Sequence, residues 1–582
     1  MKSKSASAAA EEPRQFSLTA FAPNAPAGLS RLRDGVRDLT TSLLKRVVKH
    51  KAPARFRSTR PQVYAVNGMA ATSHPIATLA AVNMLQAGGN AMDAAIAASA
   101  VQAVVEPGST GIGGDCFALY MPNGREPVAF NGSGRLPEAA TLEAYRAAVG
   151  TKEIPRRSPF AVTIPGAVDA WCRLLADHGT KTLREVLQPA IDLAFNGYAI
   201  AERVNLDWSD QERHLSHEPQ ARRTLLPDGI APPVGSIHRQ PELGRTLEAI
   251  AATGRDAFYG GEVARDMVDS LRSRGGVHTL ADFEAAGGEY VTPIHTTFRG
   301  RDIVECPPNG QGIVALLILN ILSGFRPASG GAASLERYHR EIEATRLAYA
   351  VRNAAVGDPA FAAVPMDEML SEQFARRLTD MIRPGKRIDH LPAYVPPLHR
   401  DTVTISVVDK DRNAASFINS TFHVFGSGIM TDRTGIVFHD RATSFSLEPG
   451  HPNAVAPGKR PLHTIIPGLA VADGRPVLSF GITGGHYQAM AHASLLSSVY
   501  DYGTSLQEAM DLPRVFPVPG SDEVNAEPSL DPEVADGLKS MGYRLTRPKR
   551  PIGGAQAVAI DWEHGTLVGA SDMRKDGCAL GY

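Results

Sequence analysis

Residues 401–409, Asp-Thr-Val-Thr-Ile-Ser-Val-Val-Asp, alternate hydroxyl-bearing and β-branched apolar side chains. A period of two places Thr402, Thr404 and Ser406 on one face of a strand. The polar run 409–413 reads as a turn, and residues 414–420 as the returning strand. A turn centred on Asp411 sets Ser420 opposite Thr402, and cross-strand side chains lie within hydrogen-bonding reach. Two hydroxyls thus meet where a long, proline-bearing stretch (383–400) enters a strand. Such a pair can supply a nucleophile and its partner, but a hydroxyl-rich strand face is most often plain polar surface. A second feature is the loop 106–114, Glu-Pro-Gly-Ser-Thr-Gly-Ile-Gly-Gly. Its four glycines allow close backbone approach. It is neither a phosphate loop, since no Gly-Lys-Ser/Thr follows, nor a dinucleotide fingerprint, and taken alone it reads as structural.

Short segments spread along the chain resemble those of the gamma-glutamyltranspeptidase family. They include Gly88-Gly89-Asn90-Ala91-Met92-Asp93-Ala94-Ala95, Gly111-Ile112-Gly113-Gly114, Ile164-Pro165-Gly166 and Gln188-Pro189-Ala190. Further on come Asp401-Thr402, Ser406-Val407-Val408-Asp409, Gly426-Ser427-Gly428, Lys459-Arg460-Pro461-Leu462, Gly484-Gly485 and Gly569-Ala570-Ser571-Asp572. Each is weak alone; their order is specific. The resemblance runs from about residue 65 to 582.

What it implies is an α+β fold, the four-layer αββα sandwich of N-terminal nucleophile hydrolases, made as an inactive precursor. Thr402 Oγ would attack the carbonyl of Asp401, and hydrolysis of the ester would leave residues 1–401 and 402–582. The freed α-amine of Thr402, with a reference pKa of about 7.7–8.0, would serve as general base at neutral pH. One residue then supplies nucleophile and base, so no Ser-His-Asp triad is required. Ser420 would support the nucleophile, and backbone N–H groups of Gly484 and Gly485 would hold the oxyanion.

The chain departs from the family where substrate is gripped. The family's acceptors for a glutamate α-ammonium fall here on Phe422, Arg441 and Ser444, an apolar ring, a cation and a hydroxyl. A serine pair on the α-carboxylate side becomes His463-Thr464, and Arg135 is the nearest candidate for a carboxylate-binding arginine. The stretch 448–459 is too short for the lid some relatives carry. These changes point to amides of small acidic acyl groups, glutaryl- or oxamate-like. The alternatives are a gamma-glutamyltransferase or glutathione hydrolase, and a binding protein that kept the fold without turnover. Arg441 is also readable as half of a surface ion pair, and His463 as a satisfied buried imidazole.

The elements that must position these groups are legible in part. Residues 76–86 and 91–105 read as apolar helices, the second buried on most sides, followed by a strand at 116–121. Residues 164–361 read as helices and loops, with helices at 182–195, 313–322 and 335–355; strands are expected at 402–408, 414–419, 429 and 436–439. Ahead of all this, Leu29, Leu32, Val36, Leu39, Leu43 and Val47 form a helical stripe flanked by Arg31, Arg33, Arg37, Lys45, Arg46 and Lys49. It reads as an arm (1–60) packing on the body, or less favourably as a membrane-surface or partner-docking helix over 29–51.

Composition bounds the rest. Sixty Lys and Arg against sixty-one Asp and Glu leave no basic surplus for nucleic acid. Four cysteines, too far apart for zinc and too few for a disulfide framework, together with the lack of a visible export signal, point to a cytoplasmic enzyme. No metal or cofactor is called for. The expected partners are a small amide and the precursor's own two fragments; the oligomeric state is left open.

Overall fold

The computed structural model describes residues 60–391 and 402–582. The basic stripe at 29–51, Asp401 and residues 392–400 of the proline-bearing stretch lie outside the described residues. Two seven-stranded antiparallel sheets make the centre. One runs Val63–Ala65, Thr566–Ser571, Gly554–Asp561, Arg475–Thr483, Gly468–Ala472, Arg301–Glu305, Ile294–Phe298. The other runs Cys578–Gly581, Met69–Thr72, Val403–Val408, Ala414–Ser420, Asp115–Met121, Val128–Gly132, Glu289–Val291. Both sheets combine strands from before and after Thr402.

The sheets bury a layer of apolar side chains between them, including Met69, Phe117, Leu119, Val408, Ile418, Leu469 and Val558. Their outer faces are covered by helices, which completes a four-layer αββα sandwich. Ile405, Val407, Ala415 and Phe417 point outward to the helices Pro75–Gln86, Ala91–Val105 and Leu183–Asn196. On the other sheet, Leu478, Phe480 and Ile482 meet the helices Gly312–Ser323, Leu335–Ala355 and Tyr487–Tyr502. Period-two alternation in the strands therefore divides each between two cores.

The helix Ala91–Val105 shows why the small-residue run folds as it does. Asn90 accepts the backbone N–H groups of Met92 and Asp93, and Asp93 reaches back to the Asn90 N–H, a capping box. Every residue of the helix is buried, and its mostly small side chains let it pack closely between the sheet and neighbouring helices. The buried Asp93 carboxylate also accepts the N–H groups of Thr180 and Lys181.

Two expectations need correction. Within 164–361 the structure has five strands, the short pair Tyr198–Ala199 and Ile237–His238, then Glu289–Val291, Ile294–Phe298 and Arg301–Glu305. The last two form a hairpin through Arg299 and Gly300, both with positive φ, a turn with Arg-Gly where Asn-Gly would have signalled it. Conversely, 429 and 436–439 form no strands. Met430 and Val437 share only an isolated bridge. Gly426 and Gly428, at φ 51° and 76°, curl the chain, and the Thr431 hydroxyl, not a ladder carbonyl, accepts the Ile436 N–H.

Candidate active site

The hairpin forms in the expected register: Val403 pairs with Asn419 and Val408 with Ala414. Asp409 builds its turn, accepting the N–H groups of Asp411 and Asn413 on one oxygen and Ala91 N–H and the Asn413 amide on the other. At the open end, Thr402 Oγ1 and Ser420 Oγ are hydrogen-bonded at 3.2 Å, both residues fully buried. Ser420 Oγ also accepts the N–H of Phe422 at 3.0 Å. That bond bends the chain at Phe422, which sits at φ 77°.

The glycine loop 106–114 braces this end. Asn419 donates its amide to Thr110 Oγ1 and Gly111 O. A Cβ on Gly114 would lie 2.4 Å from the Ser420 carbonyl, and one on Gly113 would lie 2.2 Å from that of Val437. The loop is structural, and it holds the candidate nucleophile's partner. At its start, buried Glu106 accepts hydrogen bonds from Ser73 Oγ and the Gln102 amide. Burial pushes its carboxyl up to about 7, against the pull of Lys575 and these donors. Between its ordinary value of 4.5 and about 7 the folded chain keeps a proton the unfolded chain has released, so stability falls as pH rises through that window. Glu106→Gln removes this loss. The melting temperature of the variant minus that of wild type should climb from pH 4.5 to 7 and then level off; a gap independent of pH would refute it.

In the facing sheet, Ser416 donates to Phe480 O and Ser479 to Ala415 O, so Ala414–Ser420 and Arg475–Thr483 run in the same direction. Ser420 and the turn Gly484-Gly485 therefore lie at the same end of the sandwich. Gly484 and Gly485 adopt φ of 123° and 60°, conformations that favour glycine. The helix Tyr487–Tyr502 starts immediately after them, so its positive end faces the turn. Gln311 donates to the carbonyls of Gly485 (3.0 Å) and Thr464 (2.9 Å). Arg352 donates to Gln311 Oε1. This scaffold can hold two backbone N–H groups toward a developing oxyanion.

Three of the expected substrate contacts converge. Arg441, fully buried, stacks on Phe422 with its guanidinium carbon 3.8 Å from the ring centroid. Its Nη1 donates to Thr464 Oγ1 at 3.0 Å, while Nε and Nη2 have no hydrogen-bond partner. Among the described residues no carboxylate pairs with it, and it is buried rather than half of a surface ion pair. Burial pushes the guanidinium down to about 9, with Asp115 and Asp440 opposing at a distance. Asp440 is itself engaged by His423 Nδ1 at 2.7 Å and Arg156 at 3.4 Å. An unpaired buried cation on an aromatic face is a receptacle for an anion.

The other three do not converge with them. His463 accepts Ile465 N–H on Nδ1 and donates from Nε2 to Asp115 at 3.0 Å. Burial and then Arg441 hold it down to about 3, so it is a neutral, satisfied imidazole. The Ser444 hydroxyl is spent on the carbonyls of Arg441 and Leu462. Arg135 donates to Gly458 O and pairs with Glu289 at 3.7 Å and Asp358 at 3.9 Å, leaving it no free role as a carboxylate anchor. The sequence reading missed Asp115, which pairs across the sheet with Ser420 and binds His463, Gly134 N–H and Gly166 N–H. It also missed Gln311 and Arg352. Cys306-Pro307-Pro308-Asn309-Gly310-Gln311-Gly312 registers only as a turn, and a lone Asp opening a strand carries no local signal. Among the described residues, no cluster of His, Cys, Asp and Glu could hold a metal ion.

An αββα sandwich with a threonine hydroxyl at the head of a central strand, facing a glycine turn, defines an N-terminal nucleophile hydrolase. The profile of the Gamma-glutamyltranspeptidase family matches residues 77–582. The chain is 35% identical to a glutathione hydrolase-like YwrD proenzyme of Bacillus subtilis (strain 168), over 88% of this chain and 98% of the relative. It is 34% identical to an oxamate amidohydrolase proenzyme of Klebsiella pneumoniae, over 89% and 98%. A cephalosporin acylase from Bacillus halodurans superposes with a TM-score of 0.85 at 35% identity, covering 91% of this chain and 99% of the acylase. The protein belongs to the gamma-glutamyltranspeptidase family, as a self-processing amidohydrolase of the N-terminal nucleophile type.

Proposed function

We propose that the protein, once cut before Thr402, hydrolyses amides whose acyl half ends in a carboxylate, glutaryl- or oxamate-like. The observation that carries this reading is Arg441, buried on Phe422 and without an acid partner. The acyl carboxylate would take the unpartnered Nε and Nη2, with Thr464 holding the third nitrogen. A free α-ammonium on the acyl half would face that cation, with Asp440 already engaged by His423 and Arg156. This disfavours gamma-glutamyl amides.

In the reaction, the freed α-amine of Thr402 takes the proton of its own Oγ as that oxygen attacks the amide carbonyl. The N–H groups of the Gly484-Gly485 turn hold the oxyanion, and collapse expels the amine with the proton returned to it. Water then enters by the same base and releases the carboxylic acid. Ser420 steadies Oγ in both steps and during self-cleavage. Ser420→Ala should slow both self-cleavage and turnover about tenfold, the value of one hydrogen bond to a charged or reacting group. Equal rates in variant and wild type would remove Ser420 from the site. The two fragments would stay one body because each sheet hydrogen-bonds strands of both.

The intermediate gives the direct test. Acid-quenching processed protein during turnover of a glutaryl amide should add one glutaryl group to the fragment 402–582, mapped to Thr402. An acyl group on any other residue would defeat the proposal.

A further inference from the structure

Asp115 opens the strand Asp115–Met121, is fully buried, and pairs across the sheet with Ser420. Both oxygens of its carboxylate are engaged. Oδ1 accepts the N–H groups of Gly134 at 3.0 Å and Gly166 at 3.3 Å. Oδ2 accepts a hydrogen bond from His463 Nε2 at 3.0 Å and lies 3.4 Å from His439 Nδ1. Each of these buried rings is anchored again at its other nitrogen. His439 Nε2 donates to the Thr163 carbonyl at 2.9 Å, and His463 Nδ1 accepts Ile465 N–H at 3.3 Å. Burial works against ionisation of Asp115, but His439 and His463 outweigh it and hold the carboxyl well below its ordinary range.

Both histidines adjoin the residues that would receive the acyl carboxylate. His439 comes two residues before Arg441, and His463 immediately precedes Thr464. The Arg441–Thr464 hydrogen bond thus has each end fixed, within two residues, on the same oxygen of Asp115. The main chain of Asp115 is meanwhile laddered to Ser420, whose hydroxyl bonds Thr402 Oγ1. One residue ties the place where the acyl carboxylate would be held to the place where its carbonyl would be attacked. The span between those places decides how many carbons fit between carbonyl and carboxylate.

We propose that Asp115 is a positioning residue that sets the acyl length the enzyme accepts, acting through His439 and His463 without touching substrate. This rests on the reading of Arg441 as receptor of the acyl carboxylate. Asp115→Asn separates positioning from shape. Its amide oxygen can still accept from Gly134 and Gly166, so the end of the strand should hold. Its NH2 would face His463 Nε2, a donor in the wild type. The ring can accept there only by moving its proton to Nδ1, against Ile465 N–H. The segment 463–465 must then shift and carry Thr464 with it.

The experiment measures kcat/KM on processed protein for oxalyl, malonyl, succinyl, glutaryl and adipyl amides of one amine. Each value is divided by that for the butyryl amide, which lacks the carboxylate and reports any general damage to the nucleophile. Wild type should prefer one length over its one-carbon neighbours by about tenfold, the lower end of what one methylene is worth in a shaped pocket. Asp115→Asn should flatten that preference to about twofold or less, chiefly through KM. Wild type that takes the butyryl amide as well as every acid would refute the Arg441 reading and this proposal with it. Acids preferred without regard to length, or a length preference that survives Asp115→Asn, would overturn this proposal alone. Should that variant fail to fold, two others decide. His463→Leu removes the bond to Oδ2 and should flatten the profile, whereas His463→Gln, whose amide can still donate there, should keep it. Like profiles from the two would overturn the proposal.

Discussion

Thr402→Ala should accumulate as one uncut chain on a denaturing gel and lose hydrolysis by at least about 10⁴-fold, the scale seen when a nucleophile is removed. Both losses come from one atom. Oγ1 is the only hydroxyl that opens the strand, and without cleavage no α-amine exists to act as base. The fold should survive, because the side chain is small and its one described bond, to Ser420, is worth about 1 kcal/mol. Circular dichroism and melting therefore separate loss of chemistry from loss of structure. Thr402→Ser keeps the hydroxyl and should still cut, more slowly, since the γ-methyl no longer restricts χ1. Two fragments from Thr402→Ala would mean that the nucleophile is elsewhere.

The second large effect is expected at Arg441. Replacing it by methionine should lower kcat/KM for glutaryl amides by about 10²–10³-fold, the cost of removing the partner of a buried charge on the ligand. The melting temperature should stay level or rise. Among the described residues nothing acidic pairs with the guanidinium, so a flexible apolar chain of similar length relieves a buried, uncompensated cation. A residue held for packing would show the reverse, unchanged catalysis and a lower melting temperature. Methionine preserves contact with the Phe422 ring and so isolates the charge. Thr464→Val, which removes only the acceptor of Nη1, should fall between the two.

How far the sequence foretells the molecule depends on where each residue's partner lies. The hairpin that pairs Thr402 with Ser420 was legible because its strands, turn and register are written within twenty consecutive residues. So was the helix Ala91–Val105, whose cap and apolar run are contiguous. The hairpin through Arg299-Gly300 was missed because its turn residues are unusual and its strands are half exposed. The sandwich came from ordered resemblance; local periodicity could not have supplied a strand order that sets Met69–Thr72 between Val403–Val408 and Cys578–Gly581.

In the site, Phe422, Arg441 and Thr464 were found by their departure from a pattern, and the structure brings them together. His463 comes from the same departure as Thr464, and Arg135 is the nearest candidate for the family's carboxylate-binding arginine. What decides their roles is Asp115, Glu289 and Asp358, each more than a hundred residues away in sequence. No local signal could show that one histidine is already satisfied or that one arginine is already paired. Ser444 failed for a related reason: its short 3₁₀ turn, Arg441–Ser444, directs the hydroxyl back to its own backbone.

The acyl preference is the most direct measurement of the central claim. On processed protein, kcat/KM should be compared for a glutaryl amide and a gamma-glutamyl amide of the same amine, which differ only by the α-ammonium. The account predicts that the glutaryl amide is favoured about tenfold or more, since the ammonium must be desolvated beside Arg441 while Asp440 is engaged by His423 and Arg156. A preference of that size for the gamma-glutamyl amide would contradict it.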